Sequence, residues 1–455
     1  MKSELFGSSG VRGLVNVSLT PVLAARIGLA VATSAEPKKV LVGRDTRVSG
    51  LMLESALVSG LLAGGVRVNC LGVVPTPVLA YLTKTLDADV GVMITASHNP
   101  PQYNGIKIFD GGGTAYNEEK QNEIERIVKD ERFKLVDWRN VGEALFIDES
   151  HYYTEMVQNT VKLYKKWRVI VDPGCGAACY IAPSVFKNLG CKATAINAQP
   201  DGFFPSRSPE PNPGSLQSLA KIVRELNADV GIAYDGDGDR VAFVDQEGEF
   251  VNFDRVLAAY AAHMTKKAHG KTVATNVEAS MCVEKMVEAE GGRVVRTRVG
   301  DVYVAEAIKQ LEAVFGGEPC GAWIHPQCHY CPDGILSSVL LLKALEDEDK
   351  TLSEFISEVP QYPTLRENVA CKDEVKHKVV EEAEDGLRSV FPRFNHVSTV
   401  DGVRLALEDG WILVRASGTE PVLRLTVEGE SLKKAREIME KGMMLVKRLI
   451  GEVGK

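Results

Sequence analysis

Before about residue 360 the chain repeats one hydrophobic rhythm three times: a short apolar run, a helix-like stretch, a glycine and a second short run. The first copy joins Lys39-Val40-Leu41-Val42-Gly43 through a helical Leu51 to Leu62 to Gly65-Val66-Arg67-Val68. The second joins Arg168-Val169-Ile170-Val171-Asp172 through Ala182 to Leu189 to Gly190-Cys191-Lys192-Ala193. The third joins Lys271-Thr272-Val273-Ala274-Thr275 through Ser280 to Glu290 to Gly292-Arg293-Val294-Val295. β-rich runs on both sides of a helix predict a crossover between parallel strands. A further run then recurs almost literally: Leu86-Asp87-Ala88-Asp89-Val90-Gly91-Val92 against Leu226-Asn227-Ala228-Asp229-Val230-Gly231-Ile232, with a fainter Leu311-Glu312-Ala313-Val314-Phe315-Gly316-Gly317. The pattern predicts an α/β protein of three related mixed α/β domains arising by duplication: residues 1–149, 150–251 and 252–363.

From about Leu365 the rhythm changes. Asp373 to Val390 reads as an amphipathic helix, Val403 to Leu407 and Trp411 to Arg415 as a hairpin, Val422 to Val427 as a strand, and Leu432 to Ile450 as a closing helix. This predicts a smaller α+β domain over 364–455, entered through Pro360, Tyr362 and Pro363.

Length agrees with several domains, since 455 residues exceed one ordinary core. Charge narrows the partners: 53 Lys and Arg against 61 Asp and Glu leave −8, so neither nucleic acid nor an anionic membrane is an expected partner. No apolar run reaches the roughly 18 residues of a membrane span, and the first residues lack the apolar segment of a signal peptide. Nine scattered cysteines suit reduced thiols, so a cytoplasmic setting is expected.

Each recurring run leads into a distinctive loop. Asp235-Gly236-Asp237-Gly238-Asp239 places three hard oxygen donors on a flexible backbone, a pattern for Mg²⁺ or Ca²⁺. An EF-hand is disfavoured, because Arg240 and Gln246 stand where that loop needs Gly and Glu. Without a cation, three adjacent carboxylates repel one another. Thr95-Ala96-Ser97-His98-Asn99-Pro100 offers Ser97 as a nucleophile, with Lys107 returning toward the same strand end. Burial or a nearby cation such as Arg12 would lower the lysine pKa enough for proton transfer. Arg415-Ala416-Ser417-Gly418-Thr419 concentrates phosphate donors in one turn. Arg44-Asp45-Thr46-Arg47 reads equally as a phosphate loop or a structural ion-pair loop. His325, Cys328, His329 and Cys331 are awkwardly spaced for structural zinc.

Taken in order with Gly317-Glu318-Pro319-Cys320-Gly321 and the opening Phe6-Gly7-Ser8-Ser9-Gly10-Val11-Arg12-Gly13, these loops resemble the signatures of the α-D-phosphohexomutases. The resemblance implies a phosphoserine at Ser97 and one Mg²⁺ per subunit, held by Asp235, Asp237, Asp239 and the serine group. It implies acid–base and electrostatic roles for Lys107, Arg12 and His98, and sugar contacts from Glu318 and Cys320. It also gives substrate contacts to Arg240, Gly300, Asp301, Arg415, Ser417, Gly418 and Thr419. Cys320 and Ala322 depart from the family's usual Ser and His. Val299-Gly300-Asp301-Val302-Tyr303-Val304 resembles the phosphoglucosamine mutase branch, its archaeal type above all. The implied reaction interconverts glucosamine 6-phosphate and glucosamine 1-phosphate through a bisphosphorylated sugar. The alternative is the same chemistry on mannose or glucose phosphates. The expected partner is a small sugar phosphate, and the expected chain state a monomer or homodimer.

Overall fold

A computed structural model of the chain describes residues 5–7, 10–417 and 420–453. Each repeat forms a sheet whose central four strands have one order. In the first, Tyr103–Asp110, Val90–Ile94, Lys39–Arg44 and Arg67–Val73 lie side by side. In the second the order is Val241–Val244, Val230–Tyr234, Arg168–Asp172 and Lys192–Ala195, and in the third Trp323–Ile324, Phe315–Gly317, Thr272–Asn276 and Arg293–Thr297. The outermost pair with the recurring strand is antiparallel in all three, and the other two pairs are parallel. The first sheet is extended by Phe6–Gly7 and Gly10–Leu14 on one side and Ala144–Phe146 on the other.

The recurring run has a physical reason. Asp87, Asn227 and Glu312 are all left-handed, with φ of 50°, 49° and 49°, and turn the chain from a helix into the strand. Gly91, Gly231 and Gly316 then let that helix lie close: a Cβ there would sit 2.3 Å from Thr83, 2.7 Å from Val223 and 2.6 Å from Ile308. The faint third copy is therefore a true structural equivalent.

One buried apolar cluster runs through all three sheets, from Leu79 and Tyr153 past Val171, Ile232 and Phe243 to Phe315 and Trp323. It fixes the three sets of strand ends relative to one another. The last domain has its own core. It meets the third domain through Val277, Trp411 and Leu413, with Met281 and Val299 against them.

The last domain is a five-stranded antiparallel sheet in the order Thr364–Ala370, Val422–Gly429, Gly410–Ala416, Val403–Ala406, His396–Ser398, with helices Asp373–Val390 and Leu432–Val453. The expected hairpin forms, pairing Ala406 with Trp411. Two outer strands, Thr364–Ala370 and His396–Ser398, were not anticipated, because polar and half-exposed residues interrupt their alternation. All nine cysteines are free, and among the described residues no helix is long and apolar enough to cross a membrane.

Candidate active site

Ser97 follows the Val90–Ile94 strand in a left-handed conformation (φ 51°) that a non-glycine residue adopts only when its surroundings enforce it. Arg47 supplies the enforcement. Its guanidinium donates to the carbonyls of Ser97 (2.8 Å), Asn99 (2.6 Å), Pro100 (2.7 Å) and Tyr103 (3.0 Å), while Nε pairs with Asp45 at 3.0 Å. Asp45 also accepts from Thr95 Oγ1 (2.6 Å), whose oxygen accepts the Ser97 N–H (2.9 Å). The Arg44–Arg47 segment is thus the structural ion-pair loop of the two readings, and it is what shapes the serine turn.

The Ser97 hydroxyl donates to Asp235 Oδ2 at 2.6 Å, so the serine and the carboxylate trio share one site across two domains. Gly236 makes the approach possible, since a Cβ there would lie 2.5 Å from the Ser97 carbonyl oxygen. Asp235 Oδ1 accepts the N–H groups of Gly238 (3.0 Å) and Arg240 (3.2 Å). Lys107 reaches Asp237 at 2.8 Å and Asp239 at 2.6 Å, and Thr76 Oγ1 donates to Asp237 as well. The trio offers three carboxylate oxygens within 4.8 Å of one another. Asp237 Oδ1 and Asp239 Oδ1 are buried with no hydrogen-bond partner. Hard, anionic, unsatisfied oxygens fit a small divalent cation.

Charge coupling is strong here. Burial raises Asp235 well above the carboxylate range, and Asp239 and Asp237 push it further. Burial would lower Lys107, but Asp237 and Asp239 outweigh it and hold the ammonium above its ordinary value. This corrects the expectation of a lowered lysine: the nearest charges are carboxylates, and Arg12 acts only as a weaker opposing influence. Arg12 instead donates to Asn99 Oδ1 (2.9 Å), its own pKa lowered by burial and by Arg240. His98 Nδ1 lies 3.3 Å from the Ser97 hydroxyl, and burial with Arg240 and Arg12 pushes its pKa down to about 2, so the ring is neutral.

The third loop adds Glu318, whose Oε1 accepts from Asn276 Nδ2 (2.7 Å) and the Gly300 N–H (2.8 Å). Burial raises its pKa, and burial pushes Cys320 up to about 12. Asp301 opens the Asp301–Leu311 helix just after Gly300, close enough for its charge to act on Arg12 and Lys107. Arg240 lies 3.8 Å from Glu210.

Arg415 does not join the serine and the trio directly. It pairs with Glu278 of the third domain (2.6 Å) and Asp401 of its own (3.5 Å). Ser417 is buried; its Oγ accepts the Glu420 N–H (3.2 Å), and Lys376 donates to its carbonyl (2.7 Å). Gly418 and Thr419 lie outside the described residues. Sequence reasoning left Arg47 between two readings, and it missed Thr76, Asn276 and Glu278, none of which carried a signal. The His325–Cys331 cluster is a structural joint: His329 and Tyr153 each bond Asp333 at 2.9 Å, and His325 bonds Ser337 at 2.9 Å. Among the described residues, only the Asp trio converges as metal ligands do.

Four family models match in order along the chain. Phosphoglucomutase/phosphomannomutase alpha/beta/alpha domain I covers residues 3–135, domain II 151–248, domain III 252–362 and the C-terminal domain 367–442. With the loops in these places, the chain belongs to the phosphoglucomutase/phosphomannomutase family, the α-D-phosphohexomutases. Among its relatives is a probable phosphoglucosamine mutase of Pyrococcus abyssi, 45% identical over 450 residues and 98% of each chain. Another, from Methanopyrus kandleri, is 45% identical over 452 residues and 99% of each. A solved phosphoglucomutase/phosphomannomutase family protein from Burkholderia thailandensis superimposes with a TM-score of 0.88 at 28% identity, covering 98% of this chain and 97% of its own.

Proposed function

We propose that this enzyme interconverts glucosamine 6-phosphate and glucosamine 1-phosphate through a phosphorylated Ser97 and a bisphosphorylated sugar. The 2.6 Å bond from Ser97 to Asp235, with Lys107 against the other two carboxylates of the trio, Asp237 and Asp239, carries the chemistry of this reading. The full-length likeness to phosphoglucosamine mutases carries its choice of sugar.

In the first transfer the Ser97 Oγ–phosphorus bond breaks as the C1 oxygen of glucosamine 6-phosphate bonds to that phosphorus. The net proton movement runs from the C1 hydroxyl to Ser97 Oγ. Lys107, held as an ammonium, gives a proton to the departing oxygen and is restored by the sugar's. After the sugar turns, its 6-phosphoryl group passes to Ser97 by the same steps reversed. Asp235, Asp237, Asp239 and an oxygen of the serine group would hold Mg²⁺, which supplies charge neutralisation to the phosphoryl oxygens when bound. Arg12 adds positive charge, neutral His98 orients the serine group, and the rigid serine turn keeps the reacting line fixed. Glu318, Cys320, Arg240, Gly300 and Asp301 line the sugar side, while the Arg415 turn, with Ser417, Gly418 and Thr419, takes the non-reacting phosphate. Reduced thiols support a cytoplasmic setting.

Mass spectrometry of the purified protein, with coupled assays on glucosamine, mannose and glucose phosphates, tests this. Phosphate on Ser97 with fastest turnover of glucosamine phosphate is the expected result. Faster turnover of mannose or glucose phosphates moves the assignment within the family. Net phosphate release without label on Ser97 overturns the mutase reading, as does sugar-phosphate binding with no turnover.

A further inference from the structure

In each of the first three domains a polar residue at the end of the central strand holds the loop that follows the neighbouring strand. Asp45 holds Thr95 and Arg47, and through them Ser97. Asp172 pairs with Arg207 at 3.0 Å, and Arg207 donates to the Tyr234 carbonyl (2.7 Å) just before Asp235. In the third domain the residue in register with Asp172 is Asn276, the last of the Thr272–Asn276 strand, whereas Asp45 lies two positions further along, just past its own strand.

Asn276 is buried, and its amide is oriented from both sides. Its oxygen accepts the Glu278 N–H (2.9 Å), so its Nδ2 faces Glu318 and donates to Oε1 at 2.7 Å. The Gly300 N–H takes Oε1 as well. Both donors therefore fall on one oxygen of Glu318. None of the described residues is seen donating to the other, Oε2, which is left to accept from a ligand. The backbone of Asn276 is fixed in turn by Arg296, whose Nη1 donates to its carbonyl at 2.8 Å. The same amide also anchors the backbone of Glu278, whose carboxylate pairs with Arg415.

We infer that Asn276 is a positioning residue for sugar recognition: it fixes Glu318 so that Oε2 alone receives the sugar hydroxyls. This rests on the reading of Glu318 as a sugar contact. The three units then share a device, a polar residue at one strand end that orients the working loop of its neighbour. A hydrogen bond to a charged acceptor is directional, so losing the donor frees the carboxylate to rotate and spreads its hydroxyl contacts over two oxygens.

The test is Asn276→Asp in the full-length enzyme. The replacement keeps shape and the acceptor for the Glu278 N–H, but removes the donor to Glu318. Steady-state kinetics are read on whichever sugar phosphate the wild type turns over best, with inorganic phosphate as a competitive inhibitor and Ser97 phosphorylation by mass spectrometry. The expected result is KM for the sugar phosphate raised about 10- to 100-fold, the size of one lost charge-assisted hydrogen bond. The inhibition constant for phosphate stays within about two-fold and the label on Ser97 is unchanged. Asn276→Ser, which adds no charge, gives the same split if the aspartate variant does not fold. Unchanged KM, or equal weakening of phosphate and sugar phosphate, overturns the inference. A wild type that prefers another sugar corrects the proposed substrate and leaves the assignment standing. A wild type that binds no sugar phosphate in calorimetry overturns both.

Discussion

The serine turn and the Arg415 turn both handle phosphate in the proposed reaction, yet they are built in opposite ways. The serine turn is buried and held by one arginine through four backbone carbonyls, with an aspartate and a threonine behind it. The strand that leads into it, Val90–Ile94, is buried along its whole length. The Arg415 turn sits on a separate core and reaches the rest of the site through side chains, Arg415 to Glu278 and Trp411 against Val277. A group that reacts must be aligned to within fractions of an ångström, whereas a group that only grips can be presented by a domain free to adjust. In the proposed reaction, preorganisation is concentrated where bonds change.

The contrast can be broken most severely at Ser97. Ser97→Ala should abolish the phosphoprotein and lower turnover by about 10⁴-fold or more, with the fold intact, as read by mass spectrometry and the coupled assay. Chelation comes next. Removing divalent cations should cut turnover by roughly 10³-fold and Mg²⁺ should restore it. Mg²⁺ at about a hundred times its Kd should also stabilise the fold by about 2.7 kcal/mol in urea titrations, because the trio's repulsion and its two unpartnered oxygens are then answered. A turnover indifferent to chelation would contradict the cation site.

Arg47→Lys tests rigidity itself. It keeps a charge but loses the fork that spans four carbonyls, so we expect destabilisation of about 3 kcal/mol and a turnover loss of about 10²-fold. An equal loss of turnover from Arg415→Lys, measured at saturating substrate, would erase the distinction drawn above.

A smaller effect concerns pH. Burial lowers His325 from 6.5 to about 3, so the folded protein refuses a proton that the unfolded chain accepts. The stabilisation from a neutral His325 is complete above pH 6.5 and is lost as pH falls toward 3. His325→Gln should remove about 2 kcal/mol of the stability difference between pH 7 and 4.5 in urea unfolding. The smallest effect belongs to the gripping loop. Glu278→Gln should tighten inorganic phosphate by about two- to five-fold in inhibition assays, since a carboxylate paired with Arg415 competes with phosphate.

Much of this architecture is legible in the chain. The Leu-Asp-Ala-Asp-Val-Gly-Val run repeats because a left-handed turn and a small residue under a helix are local needs with few solutions. Asp235, Asp237 and Asp239 announce themselves because like charges rarely gather without purpose. Ser97 stood out only beside such neighbours. Arg47 was open to two readings, since an arginine between threonine and valine looks the same whether it binds phosphate or carbonyls. Asn276 and Glu278 carried no signal at all, because an amide in a strand becomes informative only once its partner, Glu318, is known. The raised pKa of Lys107 was likewise hidden, since it depends on carboxylates about 130 residues away.

By itself the sequence determined the elements, their threefold recurrence and the chemical inventory of the loops, since propensity, periodicity and charge act over a few residues. The tertiary structure alone decided which groups meet. It brought Ser97 to Asp235, turned Lys107 into a bound ammonium and oriented Glu318, because hydrogen bonds and Coulomb forces depend on distances that only the packed core sets.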